Sequence, residues 1–149
     1  MKIGFTGTRR GMTADQRRAF SEWLCCEANI TEFHHGDCIG ADSEAADEVH
    51  EIATGEDPGP PIKVICHPPA DQTHRAHNPH YDEIREPKTH FARNRDIVDE
   101  SDLLVACPVT MTEASHGGTW YTINYARKKK KPVIIVWPDG TLTEEGGEQ

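Results

Sequence analysis

Short apolar runs alternate with helical stretches along almost the whole chain, and this alternation constrains the fold more than any other feature. The runs are Lys2–Phe5, Ile30–His34, Ile62–Cys66, Asp102–Cys107 and Val133–Trp137. Helical spacing is read between them over Thr13–Ala28, Ala41–Ala53, Phe91–Glu100 and Thr119–Lys130. In the first helix Phe20, Trp23 and Leu24 share one side, and Thr13 followed by Gln16 is a capping-box signature. Asp102–Cys107 is nearly all apolar, as expected for a strand covered on both faces. Strands alternating with helices predict an α/β fold with a parallel sheet and right-handed crossovers. The expectation is a single Rossmann-like domain over residues 1–140, with about five strands in the order 3-2-1-4-5 and helices on both faces. Residues 141–149 are acidic and Gly-bearing and read as a flexible tail.

Ligands of such sheets bind beyond the carboxyl ends of the strands, where the strand order reverses. The turns after the first, second and fourth strands are Gly7-Thr8-Arg9, His35–Gly40 and Pro108–Gly118, all polar and Gly-bearing. Glycine lets backbone N–H groups approach an anion, and a helix N-terminus adds partial positive charge. One such turn is explained by tight strand-to-helix geometry alone; three on one edge predict a pocket. Arg9 follows the first turn and Arg93 opens the helix before the fourth strand, so both are candidate phosphate partners. Arg10, Arg17 and Arg18 read as surface charge. Asp37 and Asp42 flank the second turn and suit a sugar hydroxyl or a base, although capping is the commoner role of Asp there.

Composition narrows the ligand. The 149 residues carry 16 Lys+Arg against 25 Asp+Glu, a formal net charge of -9. A polyanion needs a basic surface, so nucleic acid is an unlikely partner, whereas a small phosphorylated ligand needs only local donors. The run Lys128–Lys131 ends a helix, where cations complement the dipole. The five cysteines include no CxxC pair, and Cys66 and Cys107 lie in apolar runs, which fits buried thiols in a reducing, cytoplasmic compartment. Lys2 leads at once into a strand, so no signal peptide is expected, and no apolar run is long enough for a membrane span. His67, His74, His77, His80 and His90 cluster in and around the polar segment Pro68–Lys88. Without zinc spacing they predict no metal site, and the segment reads as a loop folding over the pocket.

These residues, in this order, resemble the superfamily that joins the Smf/DprA DNA-processing proteins to the Lonely Guy cytokinin-activating enzymes, over Lys2 to Gly140. Ile3-Gly4-Phe5-Thr6-Gly7-Thr8-Arg9 resembles the DprA opening, and His35-Gly36-Asp37-Cys38-Ile39-Gly40-Ala41-Asp42 its second turn and helix start. Arg93-Asn94-Arg95-Asp96-Ile97 is similar to its Arg-Asn-Arg-x-Ile, and Gly117-Gly118-Thr119-Trp120-Tyr121-Thr122 to its final helix start. The resemblance implies a nucleotide pocket and a homodimer. Arg93 stands where Lonely Guy enzymes carry an arginine ahead of the fourth strand. Their glutamate, one helical turn past Gly118-Thr119, is replaced by Thr122, so the known carboxylate of N-glycosidic chemistry is missing.

The first reading is therefore a sensor or binding module for a nucleotide or nucleotide-derived phosphate, with no further cofactor. Gly7, Thr8, Gly117, Gly118 and Thr119 would contact phosphate, with Arg9 and Arg93 neutralising its charge. Gly36 and Gly40 would bring the backbone of the second turn to the ligand, and Asn94 and Thr122 would also contact it. The alternative is a hydrolase or transferase acting on a nucleoside 5'-phosphate, with a relocated carboxylate from Glu113 or Glu83. A subunit binding single-stranded nucleic acid would require a continuous basic groove.

Overall fold

Thr13 starts the first helix by the predicted device. Its Oγ1 accepts from Gln16 N (3.0 Å) while Gln16 Oε1 accepts from Thr13 N (3.2 Å). The buried Gln16 amide then donates to Pro108 O (2.9 Å) and Val136 O (2.7 Å), tying the helix start to two strand ends. The computed structural model describes residues 1–146. Its elements are β1 (Lys2–Gly7), α1 (Ala14–Cys26), β2 (Glu32–His35), α2 (Ala41–Thr54), β3 (Lys63–Cys66), β4 (Glu83–Ile84), α3 (His90–Asp99), β5 (Leu103–Cys107), α4 (Gly118–Lys128), β6 (Val133–Val136) and β7 (Leu142–Glu145).

They form one α/β domain around a seven-stranded sheet in the order β4-β3-β2-β1-β5-β6-β7. All neighbouring strands are parallel except β6 and β7. The five expected strands occupy the centre in the expected order, and one unforeseen strand is added at each edge. β4 is two residues inside the polar segment, paired beside Ile65 and Cys66. β7 corrects the expectation of a flexible tail over 141–149: Leu142–Glu145 pairs antiparallel with β6, while residues 147–149 lie outside the described residues. Arg127 holds Glu145 through Nε (2.5 Å) and Nη2 (3.2 Å), and Trp137 Nε1 donates to Thr143 Oγ1 (2.7 Å).

α1 and α2 cover one face of the sheet. Phe5, Phe20 and Phe33 form its centre, with ring centroids 5.2 to 6.3 Å apart in tilted pairs. α3 and α4 cover the other face over Leu104, Ala106, Ile123 and Ile135. α3 passes close over β1, since a Cβ at Gly4 would lie 2.7 Å from Ser101 Oγ and 2.9 Å from Ile97 Cγ2. Winding reverses between β1 and β5, so the β1–α1 and β5–α4 turns diverge from one point. Among the described residues no helix is long and apolar enough to cross a membrane.

The second turn depends on Gly40, whose φ is +100°. A Cβ there would lie 2.4 Å from the Arg9 carbonyl oxygen and 2.7 Å from that of Thr8, because the first two turns pack backbone to backbone. Gly40→Ala is expected to cost about 2 kcal/mol or more, combining a left-handed residue with a main-chain clash. Gly59→Ala, whose Cβ meets nothing within 4 Å, should stay within about 0.5 kcal/mol of wild type. Urea denaturation of both variants checks this, and equal stability would show that the turns can separate at no cost.

Candidate functional site

The reversal point opens into a cleft of about 820 Å³ between the β1–α1 turn, the start of α3 and the loop from β5 to α4. Gly7, Thr8, Arg9, Asp42, Arg93, Asn94, Gly117, Gly118 and Thr119 all line it, so three separate turns and two helices bring the larger part of the expected set together. Arg10, read from the sequence as surface charge, and His90, read with the histidine cluster, line it too, as do Phe91, His116 and Trp120, to which the sequence reading gave no site role. Arg10 carried a usable signal, because it shares the first turn with Arg9.

α4 begins at this cleft without a side-chain cap. Gly117 has φ +102°, and a Cβ on it would meet nothing within 4 Å. Beside Gly118 the nearest group to such a Cβ is Asn94 Nδ2 at 4.0 Å. Asn94 Oδ1 is held by Arg93 Nε (2.7 Å), which turns the amide so that its N–H₂ is left without a protein acceptor among the described residues. The first amides of a helix and one side-chain amide thus converge on open space. Arg9 and Arg10 stand exposed on the rim, and among the described residues neither guanidinium has a protein acceptor.

Arg93 has a different place from the one expected. It is 4% exposed and all its N–H groups have protein partners. Nη1 donates to the carbonyls of Gly36 and His67 (3.0 Å to the latter), Nη2 to Cys38 Sγ (3.4 Å) and toward His90 Nδ1 (3.1 Å), and Nε to Asn94. Its charge borders the cleft, but its donors hold α3 against the ends of β2 and β3. Gly36 lies beneath it: a Cβ there would sit 2.5 Å from Arg93 Nη1 and 3.0 Å from Asp42 Oδ2.

Asp42 is the only acidic residue lining the cleft among the described residues. Its Oδ2 accepts from Cys38 N (3.2 Å). Burial pushes its carboxyl up to about 6, against the pull of Arg93. Burial also pushes His35 down to about 4 and His67 down to about 3, so both rings are neutral at pH 7.

Four expected contacts and both expected carboxylates stand outside the cleft lining. Asp37 is 1% exposed and serves the polar segment: its carboxylate accepts from Arg75 Nε (3.0 Å) and Asn78 N (2.9 Å). Asn78 in turn donates to Ser43 Oγ (3.0 Å) and Asp47 Oδ1 (2.9 Å). These bonds fold the segment against α2, and none of residues 68–88 lines the cleft, which corrects the expectation of a cover. Gly36 is buried and Gly40 half-buried, and neither lines the cleft. Thr122 Oγ1 donates to Gly118 O (2.8 Å) inside α4 and is buried. Glu113 pairs with Arg127 (3.1 Å), and Glu83 pairs with Lys63 (2.6 Å) and Arg85 (2.9 Å) at the sheet edge.

The fold and cleft define a Rossmann-like α/β domain with its opening at the switch point of the sheet. No family model matches the chain, and no curated protein does. Two solved structures share the fold. One is described as the molybdenum cofactor binding protein from the phototrophic bacterium Rippkaea orientalis, with 21% identity, a TM-score of 0.65, and coverage of 92% of this chain and 77% of that one. The other is the X-ray structure of TM1055, a structural genomics target, with 18% identity, a TM-score of 0.62, and coverage of 89% and 72%.

The buried titrating groups make stability depend on pH with opposite signs. His35 and His67 have folded values below the unfolded one, so the unfolded chain gains protons first and stability falls as pH drops below about 6.5. Asp42 has a raised folded value, so its contribution is present below about pH 4 and is lost as pH rises through about 6. Asp42→Asn is expected to gain up to about 3 kcal/mol at pH 7 and nothing at pH 4. Denaturation at the two pH values checks this, and an equal change at both would show that the Asp42 charge carries no burial penalty.

Proposed function

We propose that this domain is a binding or sensor module for a nucleotide or nucleotide-derived phosphate ligand, and a member of the superfamily its motifs resemble. The observation that carries the reading is the convergence of the uncapped α4 N-terminus, Asn94 Nδ2 and two unpartnered arginines on one cleft. Backbone amides and an amide side chain suit phosphate oxygens, and a rim guanidinium neutralises their charge. Phe91, about half exposed on the lining, offers an aromatic face to a base. The neighbour described as cofactor-binding supports a small-molecule ligand in this fold. The chain's cysteines, all free, support a reducing compartment, and the motif resemblance supports a homodimer.

Binding is favoured over bond cleavage by where the carboxylates lie. Glu113 and Glu83 are ion-paired outside the cleft, and Asp42 is turned onto the Cys38 amide. Among the described residues Asp42 is the only carboxylate at the cleft, and its Oδ2 is engaged by the Cys38 amide rather than turned toward a sugar.

Native mass spectrometry of freshly purified protein should show a retained nucleotide, and nucleoside 5'-phosphates should raise the Tm where the matching nucleosides do not. Arg9→Ala should weaken the phosphorylated ligand about tenfold or more, as expected for a charge-assisted contact worth roughly 1.5–3 kcal/mol. It should leave folding unchanged, because the side chain has no protein partner among the described residues. Gly118→Val should block binding in a folded domain. Retained affinity in folded Gly118→Val would remove the phosphate site, and multiple-turnover release of free base from any nucleoside monophosphate would replace the binding module with an enzyme.

A further inference from the structure

The sheet face opposite the Phe5–Phe20–Phe33 core carries a second polar centre, away from the cleft. His34 and His67 are 0% and 2% exposed, and their rings meet with His34 Nδ1 2.8 Å from His67 Nε2. Glu100, the residue that closes α3, places Oε1 3.9 Å from the same Nδ1. One ligand atom from each of the three residues lies within 4.8 Å of the others.

We propose that His34, His67 and Glu100 bind one divalent transition-metal cation, zinc foremost, with water completing the shell. Two imidazoles and a carboxylate form a borderline donor set that suits zinc and its neighbours and leaves an open position. The orientation of His34 is already fixed. Its Nε2 lies 2.8 Å from Glu32 Oε1, so it donates there and leaves the Nδ1 lone pair facing His67. A carboxylate behind a histidine is the usual outer support of a metal-bound imidazole.

His67 Nε2 then carries the proton that lies between the two rings. On metal binding that proton moves to Nδ1 of the same ring, which has no protein partner among the described residues, and Nε2 becomes a donor to the cation. Zinc–nitrogen bonds of about 2.0–2.1 Å place two tetrahedral nitrogens roughly 3.3–3.4 Å apart, so the rings need to part by only about half an ångström.

Arg85 lies on the third ligand and is the group that opposes a cation. Its Nε and Nη2 both reach Glu100 Oε1 (3.2 and 2.8 Å), and Oε2 accepts no protein hydrogen bond among the described residues. Oε1, the oxygen placed toward His34, is therefore the one that Arg85 must share or release when Glu100 ligates a cation. Around the centre, Glu32, Glu83 and Glu100 face the cations Arg85 and Lys63, and Arg93 adds a third through the His67 carbonyl (3.0 Å), so the charges balance and the site rests on its donor set.

The test is equilibrium dialysis of chelator-treated full-length protein against zinc, with a cobalt titration followed by visible absorption. One cation per chain is expected, with the d–d bands of a low-coordinate site. His67→Ala should abolish that binding. Glu32→Gln keeps a hydrogen-bond acceptor for His34 and so keeps the fold. It should weaken binding by roughly 10–100-fold, and it decides the matter if His67→Ala fails to fold. His50→Ala serves as the control, because His50 and His80 stack with centroids 3.6 Å apart and form the other close histidine pair; it should change nothing. Absence of binding in wild type, binding untouched by both His67→Ala and Glu32→Gln, or loss in His50→Ala would each overturn the site.

Discussion

The buried guanidinium of Arg93 is the interaction on which the cleft depends. A cation removed from water must find its hydrogen bonds inside the protein. This one finds them on the carbonyls of Gly36 and His67, on Cys38, His90 and Asn94. Among the described residues no carboxylate lies within ion-pair distance of it, so its partners are mostly dipoles. Those dipoles belong to the end of β2, the residue after β3, and α3. One side chain therefore fixes three elements at the carboxyl edge of the sheet and sets the angle at which Asn94 faces α4. It also lies beside Asp42, and Gly36 has no side chain to keep the two apart.

Much of this was legible in the sequence, for physical reasons that differ between elements. The central strands were readable because strands buried on both faces are continuous apolar runs, as Leu103–Cys107 shows. The start of α1 was readable because a capping box is local chemistry. β7 was missed although its turn was written out: Pro138-Asp139-Gly140 is turn chemistry, Gly140 takes φ +88°, and Gly140 N donates to Trp137 O at 2.8 Å. The two glutamates of Leu142–Glu145 suggested a solvated tail, yet this edge strand buries no side and is held by its partner's backbone and by Arg127 and Trp137.

At the site, turns and glycines identified the right edge of the sheet but not the direction of each side chain. Asp37 and Thr122 carry suitable chemistry and spend it internally, one on Arg75 and Asn78, the other on its own helix. Phe91 carried no distinctive pattern, and only the fold brings it to the cleft. The pairing of His34 with Glu100 is wholly non-local, so no spacing rule could have found it.

The antiparallel β7 also has a consequence for how copies of this chain can meet. A parallel sheet ending at β6 would present Val133–Val136, a fully buried apolar strand, as an open template for another chain. β7 occupies those backbone groups and turns an exposed, glutamate-bearing strand outward instead. Two such edges repel each other at neutral pH, and the opposite edge is a strand of only two residues. Continuous sheets across molecules are therefore disfavoured at both ends.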